Sequence, residues 1–287
     1  MTTRLFMHSM RIRITNKVGE GREWAHNQRT NPQGWSMSAR ITRDDTSEPD
    51  EADITIRNLP PDDYGFLRDG RDLAVEVFAG VGDTVTRRFV GDVDASSVEE
   101  EREPPEQSVT LKAGALRDKH RFERSDIGYF QPNVSAAEML SRICNNAGVE
   151  LGILPPSLSS VRFPRGFQSR GPWRDVVRRI CAASGVRPIL SGDMLWIVAP
   201  GDALQEITPL LISGTLDRPG TGLVGEPKIT ADGVTFSALL MAGLEPGRKV
   251  QIDSGTFKGA VKIKRTDENL DTTDPNACVV ECEGVAI

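Results

Sequence analysis

The stretch Ala52-Asp53-Ile54-Thr55-Ile56 decides the reading of this chain. Apolar and polar residues alternate strictly, so Ala52, Ile54 and Ile56 point one way and Asp53 and Thr55 the other. A period of two with one apolar face marks an antiparallel sheet that is buried on one side and wet on the other. The run stops at Asn58-Leu59-Pro60-Pro61, where proline cannot donate to a ladder.

The same period recurs on both sides. Residues 11–14 alternate, as do residues 37–41, which follow Trp35. Residues 61–67 read as one short helical turn. Residues 72–78, 85–90, 92–98 and 108–113 read as further strands, separated by glycine-rich or acidic turns. The run Glu99-Glu100-Glu101-Arg102-Glu103-Pro104-Pro105-Glu106 reads as a solvated hairpin tip in preference to an acidic binding arm. Residues 1–122 are therefore expected to form an N-terminal β domain.

The pattern changes near residue 123. Ser135-Ala136-Ala137-Glu138 is a capping box, followed by Leu140, Ile143 and Ala147 at helical spacing and Gly148 as a stop. A second helix is expected to open at Gly171-Pro172-Trp173, with proline in its first turn, and to end at Gly185. The segment Arg142-Ile143-Cys144-Asn145-Asn146-Ala147-Gly148-Val149 matches Arg179-Ile180-Cys181-Ala182-Ala183-Ser184-Gly185-Val186 at a step of 37 residues. Residues 123–205 thus read as a duplicated helix–strand insertion, closed by a hairpin of residues 187–190 and 194–198. From 206 to 287, strands are expected at 210–215, 234–240, 249–253, 259–264 and 278–283. Short strands at that density suit a small barrel.

The totals bound the function classes. A chain of 287 residues is long enough for two or three domains. Its net charge of −6 argues against a protein that grips nucleic acid over a basic face. The start MTTRLFMHSMRIRITNK lacks the apolar core of a secretory signal. No apolar run reaches the roughly eighteen residues of a membrane span.

The chemistry of common active sites is missing. There is no GxxxxGK[ST], no GxSxG and no HExxH. A triad would have to use His8, His26 or His120, and each is flanked by polar or charged residues. Cys278 and Cys282, four apart in an expected strand, share a face but have no histidine near them in sequence to complete a zinc site. Cys144 and Cys181 hold equivalent repeat positions and read as small buried residues, not a redox pair. Trp24, Trp35, Trp173 and Trp196 read as core filling. The run Arg162-Phe163-Pro164-Arg165-Gly166-Phe167-Gln168-Ser169-Arg170 could grip single-stranded nucleic acid, but reads more simply as a linker anchored by Phe163 and Phe167. No enzymatic activity, cofactor or metal is expected.

The C-terminal segment carries a more specific pattern. Thr221-Gly222-Leu223-Val224-Gly225-Glu226-Pro227 leads into Gly233-Val234-Thr235-Phe236-Ser237-Ala238-Leu239-Leu240. After it come Leu244-Glu245-Pro246-Gly247-Arg248-Lys249-Val250 and Phe257-Lys258-Gly259-Ala260-Val261. This resembles the end of phage tail and baseplate hub proteins of the late-control-D-like group, with Gly222, Gly225, Pro227, Pro246, Gly247 and Gly259 as the motif positions. Ala260-Val261-Lys262 departs from it where an aromatic is common. The N-terminal barrel and the duplicated module resemble the same group more loosely.

The resemblance implies a mainly β fold, with two small tube-like β-barrel domains and a duplicated, LysM-like helix–strand module between them. It implies a homotrimer joining a six-fold tail tube, or distal tail protein, to a three-fold central spike or tail-tip protein. The tape measure protein would be a further partner, and DNA would pass only transiently through an acidic lumen. Assembly would occur in the host cytoplasm, and the final location would be the virion tail, with no membrane contact. The alternative is a cell-wall-degrading or peptidoglycan-binding tail protein.

Overall fold

The computed structural model describes residues 8–27, 30–31, 33–46, 49–81, 84–103, 106–115, 128–191, 194–199, 210–213, 222–231, 233–240, 243–274 and 278–287. The N-terminal part contains β1 (His8–Thr15), β2 (Gly21–Asn27), β3 (Met37–Asp44), β4 (Glu51–Arg57), α1 (Pro61–Asp69), β5 (Ala74–Val81), β6 (Thr84–Val93), β7 (Glu99–Glu103) and β8 (Glu106–Gly114). The middle contains β9 (Gly128–Phe130), β10 (Val134–Ser135), α2 (Ala136–Ala147), β11 (Glu150–Leu151), β12 (Arg162–Phe163), β13 (Phe167–Ser169), α3 (Trp173–Ala183), β14 (Arg187–Ser191) and β15 (Met194–Val198). The C-terminal part contains β16 (Leu210–Ser213), β17 (Leu223–Thr230), β18 (Gly233–Leu239), β19 (Lys249–Asp253), β20 (Lys258–Asp271) and β21 (Val279–Ala286).

The alternation at 52–56 is realised in β4. Ile54 is fully buried, opposite Ala39 on β3 and Leu111 on β8. Asp53, on the other face, lies opposite Arg40 and Lys112. The fold is mainly β, and one 14-stranded sheet runs through both the N-terminal and C-terminal parts. The two parts meet where β20 pairs antiparallel with β3, from Arg265 opposite Asp44 to Asp271 opposite Ser38. A single apolar cluster backs the sheet, holding Ile41, Ile54 and Leu111 together with Phe236, Ile263 and Val280.

Four stretches differ from the sequence reading. The strand expected at 259–264 runs on to Asp271, because Lys264-Arg265-Thr266-Asp267-Glu268-Asn269 has no apolar alternation to reveal it. The strands expected at 85–90 and 92–98 are one strand, β6, followed by a short 3-10 turn at Ala95–Ser97. Gly91 sits inside β6 because a Cβ there would meet the Gly114 carbonyl oxygen at 2.2 Å. The acidic run is itself a strand, β7, paired with β8. Strand β17 went unread because Gly225 and Pro227 interrupt it, and an edge strand tolerates both.

The insertion has its own core, separate from that of the sheet. Ser135 caps α2 by accepting the Glu138 N–H at 3.2 Å. Gly148 and Gly185 both take φ of +69°, which L side chains disfavour. The Val149 N–H then reaches the Cys144 carbonyl at 3.0 Å, and the Val186 N–H reaches that of Cys181 at 3.0 Å. The duplication therefore extends to the same helix cap. Pro172 is the N-cap of α3, one position earlier than expected. Strand β15 lies between β11 and β14, parallel to the first and antiparallel to the second. Among the described residues, no helix is long and apolar enough to cross a membrane.

Because the two cores are separate, Leu140→Ala is expected to cost about 2–5 kcal/mol within the insertion. Hydrogen exchange should show lost protection in α2 and α3, with protection in β18–β21 kept.

Candidate functional site, a buried ionic junction

Strand β20 carries Glu268 on its core-facing side, with no accessible surface. An isolated carboxylate there would be strongly disfavoured, because desolvation outweighs any single weak contact. Two arginines from different strands resolve this. Arg88 of β6 donates from Nε to Glu268 Oε2 at 3.0 Å and from Nη2 to Oε1 at 2.7 Å, a two-pronged pair. Arg43 of β3 donates from Nη1 to Glu268 Oε1 and from Nη2 to the Arg88 carbonyl. Its Nε lies 3.4 Å from Asp50 Oδ2, so two cations face two anions.

Burial alone would push the Glu268 carboxyl up. The charges of Arg43 and Arg88 and their hydrogen bonds outweigh it and hold the group below its ordinary value. Desolvation works against the Arg43 cation, but Glu268 and Asp50 keep its pKa above the usual arginine value. The four side chains clamp β20, β3, β6 and the β3–β4 loop at the place where the two parts of the chain meet.

The same loop holds the insertion. Arg187 of β14 reaches Asp45 Oδ2 at 3.2 Å, and the Leu190 N–H donates to the Thr46 carbonyl at 2.9 Å. The Asp45 N–H donates to the Lys264 carbonyl of β20 at 2.7 Å. Between insertion and sheet lies a cleft of about 390 Å³, lined by Arg43, Asp50, Arg87, Arg88 and Phe89 on one side and by Glu150, Met194 and Trp196 on the other. Sequence reasoning missed this junction, because its members are scattered from position 43 to 268. The signal was a polar run, 264–269, that fits no exposed loop.

The residues singled out in the sequence are placed as follows. His26 pairs with Met10 across β1 and β2, His8 begins β1, and His120 lies outside the described residues. All four cysteines are buried and free. Burial pushes the Cys144 and Cys181 thiols up to about 12 and Cys278 to about 11. Cys282 is pushed up further, again mainly by burial. Thiols this far from ionising are poor nucleophiles. Among the described residues, no group of three His, Cys, Asp or Glu could hold a metal ion.

Trp24 and Trp173 are buried, while Trp35 and Trp196 pack partly buried against apolar clusters. Phe163 and Phe167 meet edge to face at 5.6 Å within the basic run. The C-terminal motif shapes β17 and its surroundings. Gly222, at φ +102°, accepts the Leu239 N–H at 2.7 Å, and Gly225, at φ +71°, sits where the β17–β18 register shifts. Pro227 offers its carbonyl to Thr256 Oγ1 at 3.2 Å. Pro246 and Gly247 form a turn whose Gly247 N–H donates to the Ile263 carbonyl at 2.8 Å, and Gly259 is the second residue of β20, opposite Ile252.

Replacing Glu268 by Gln leaves Arg43 and Arg88 undercompensated and is expected to cost about 3–5 kcal/mol at neutral pH. The ordinary glutamate pKa is 4.5 and the folded value lies below it. The carboxylate's contribution is therefore complete above pH 4.5 and lost as pH falls through the lower folded value. Denaturant titrations below pH 4.5 should show a smaller acid dependence for Glu268→Gln than for the parent. A thiol reagent should label Cys144 and Cys181 only after unfolding.

No protein-family model matches the chain, and no curated protein matches it in sequence. Solved structures do match. A tail protein from Neisseria meningitidis superimposes with a TM-score of 0.63 at 9% identity, covering 96% of each chain. The prophage MuSo2 43 kDa tail protein from Shewanella oneidensis gives 0.60 at 10% identity, again covering 96% of each chain. A type VI secretion component of E. coli, described as structurally similar to the T4 bacteriophage tail proteins gp27 and gp5, gives 0.52 at 9% identity over 88% of this chain and 73% of its own. Identities this low speak to architecture alone: the chain shares its fold with these tail proteins.

Proposed function

We propose that this chain is a non-enzymatic structural subunit of a phage tail or baseplate hub, acting as a homotrimer. One observation carries the reading: within one 14-stranded sheet the strand order β3–β4–β8–β7 is repeated by β17–β18–β21–β20, in an architecture shared with tail proteins along nearly its whole length. A trimer of such chains presents six similar sheets around one axis. It can therefore meet a six-fold tube, or distal tail protein, on one side and a three-fold spike or tail-tip protein on the other. Residues 1–122 and 206–287 would be the two tube-like domains and 123–205 the inserted module. The motif residues Gly222, Gly225, Pro227, Pro246, Gly247 and Gly259 would shape the second tube-like domain. A tape measure protein would be a further neighbour, and the assembled location would be the virion tail.

The open face of the fused sheet fits a passage that does not hold DNA. Cross-strand register places Asp53, Asp267, Asp271, Glu281 and Glu283 on the face turned away from the apolar core. Arg40, Lys112 and Arg265 share that face, but carboxylates outnumber them. Such a wall repels phosphate and lets a duplex slide.

Mass photometry is expected to show a three-chain species, and cryo-EM class averages three-fold symmetry. A monomer at every concentration, with peptidoglycan clearing on a zymogram, would replace this reading with a lytic one. A mobility-shift assay with duplex DNA at low salt is expected to show no retention, and strong retention would count against the acidic passage.

A further inference from the structure

The inserted module carries a charge that the rest of the chain does not share. Residues 128–199 hold eight arginines, no lysine and four carboxylates, a net of +4, while the whole chain stands at −6. Arg178 pairs with Asp175 and Arg187 with Asp45, and Arg174 is half-buried. The other five, Arg142, Arg162, Arg165, Arg170 and Arg179, are exposed, and none has a carboxylate partner among the described residues.

The fold gathers these five round one short ribbon. The basic run is more than a linker: it forms β12 and β13, and β13 pairs antiparallel with β9, Phe167 opposite Phe130. Those two phenylalanines are 37 positions apart, as are Arg142 and Arg179, so the ribbon brings together the same position of both repeats. Each arginine covers the ring of its own repeat. The Arg142 guanidinium carbon lies 5.1 Å from the Phe130 ring centre, and that of Arg179 lies 5.6 Å from the Phe167 ring centre. Arg179 also donates to the Arg170 carbonyl at 2.8 Å, and Arg162 donates to the Asn133 carbonyl at 3.0 Å. Arg165 precedes Gly166, where a Cβ would stand 2.8 Å from the Tyr129 hydroxyl. Tyr129 is nevertheless 57% exposed beside these cations.

This pattern fits a protein partner better than a nucleic acid. Stacking and carbonyl bonds hold Arg142, Arg162 and Arg179 before any partner arrives, so less rotamer freedom is lost on binding. Their remaining N–H groups can take carboxylates in two-pronged fashion. Single-stranded nucleic acid needs free aromatic faces on which its bases stack. Here the Phe130 and Phe167 rings are covered by arginine and packed on the module's core. A cation set of arginine alone, beside an exposed tyrosine, is the composition of protein interfaces, from which lysine is depleted.

We propose that this face of the insertion docks an acidic segment of another protein, with carboxylates held by Arg142 and Arg179 and by the flanking Arg162, Arg165 and Arg170. The contact lies on the module and away from the 14-stranded sheet, so it does not depend on the trimeric reading.

Fluorescence anisotropy of the full chain at low salt tests it, with a labelled oligoglutamate peptide as probe and an oligothymidylate of matching charge as rival. Saturable binding of the peptide is expected. Arg142→Ala with Arg179→Ala should weaken it by roughly tenfold or more, since hydrogen bonds to charged groups are lost. Arg142→Lys with Arg179→Lys should also weaken it, because lysine keeps the charge but loses the stacking and the fork. Arg165→Ala with Arg170→Ala, which uncovers neither ring, should weaken it severalfold and gives a second reading if the first pair loosens the module. Circular dichroism of each variant should match the parent. Tighter binding of the oligothymidylate would identify a nucleic-acid face and overturn the proposal. No saturable peptide binding, or undiminished binding by the alanine or lysine variants, would overturn it too. A changed oligomeric state in the alanine variants would place a second copy on this face and likewise defeat it.

Discussion

Everything in this fold hangs on the neutralisation of one buried carboxylate. Glu268 lies on the core-facing side of β20, where the alternation of the sheet calls for an apolar residue. Strand β20 can lie against β3 only because Arg43 and Arg88 arrive at the same point and because Asp50 balances the second positive charge. A hydrophobic residue at 268 would stabilise the pairing without specifying it. The ionic set fixes register and partner strand together, since a slip of one residue would turn Glu268 to water and leave two arginines buried.

From that junction the rest follows in layers. Pairing of β20 with β3 joins the N-terminal and C-terminal strands into one 14-stranded sheet and merges their apolar sides into one core. The loop that supplies Asp50 also supplies Asp45 and Thr46, which seat the insertion. The insertion keeps its own core around Leu140, Ile143, Val177 and Ile180, so it is attached to the sheet without being part of it.

Much of this was legible in the sequence wherever one physical signal dominated. The alternation at 52–56, the capping serine at 135 and the glycine stops at 148 and 185 each follow from a local rule, and each is realised. The 37-residue duplication was visible because both copies must place a small thiol and a glycine at the same helix end. What escaped was non-local. The continuation of β20 past Lys264 looks polar in one dimension and becomes a strand only when arginines 180 and 225 positions away meet Glu268. Strand β17 escaped because glycine and proline normally break strands, and only its place at the sheet edge makes them acceptable. The ionic junction itself could not be read at all, since no spacing rule links positions 43, 50, 88 and 268.

The short loop between β3 and β4 has a mechanical consequence. Its few residues bear the insertion's anchor, Asp45, at one end and Arg43's counter-charge, Asp50, at the other, and Asp45 also bonds its backbone to Lys264 of β20. A tug on the insertion therefore does not stop at its own base. It loads the seam where β20 meets β3, so the module acts as a lever whose fulcrum is the buried ionic junction.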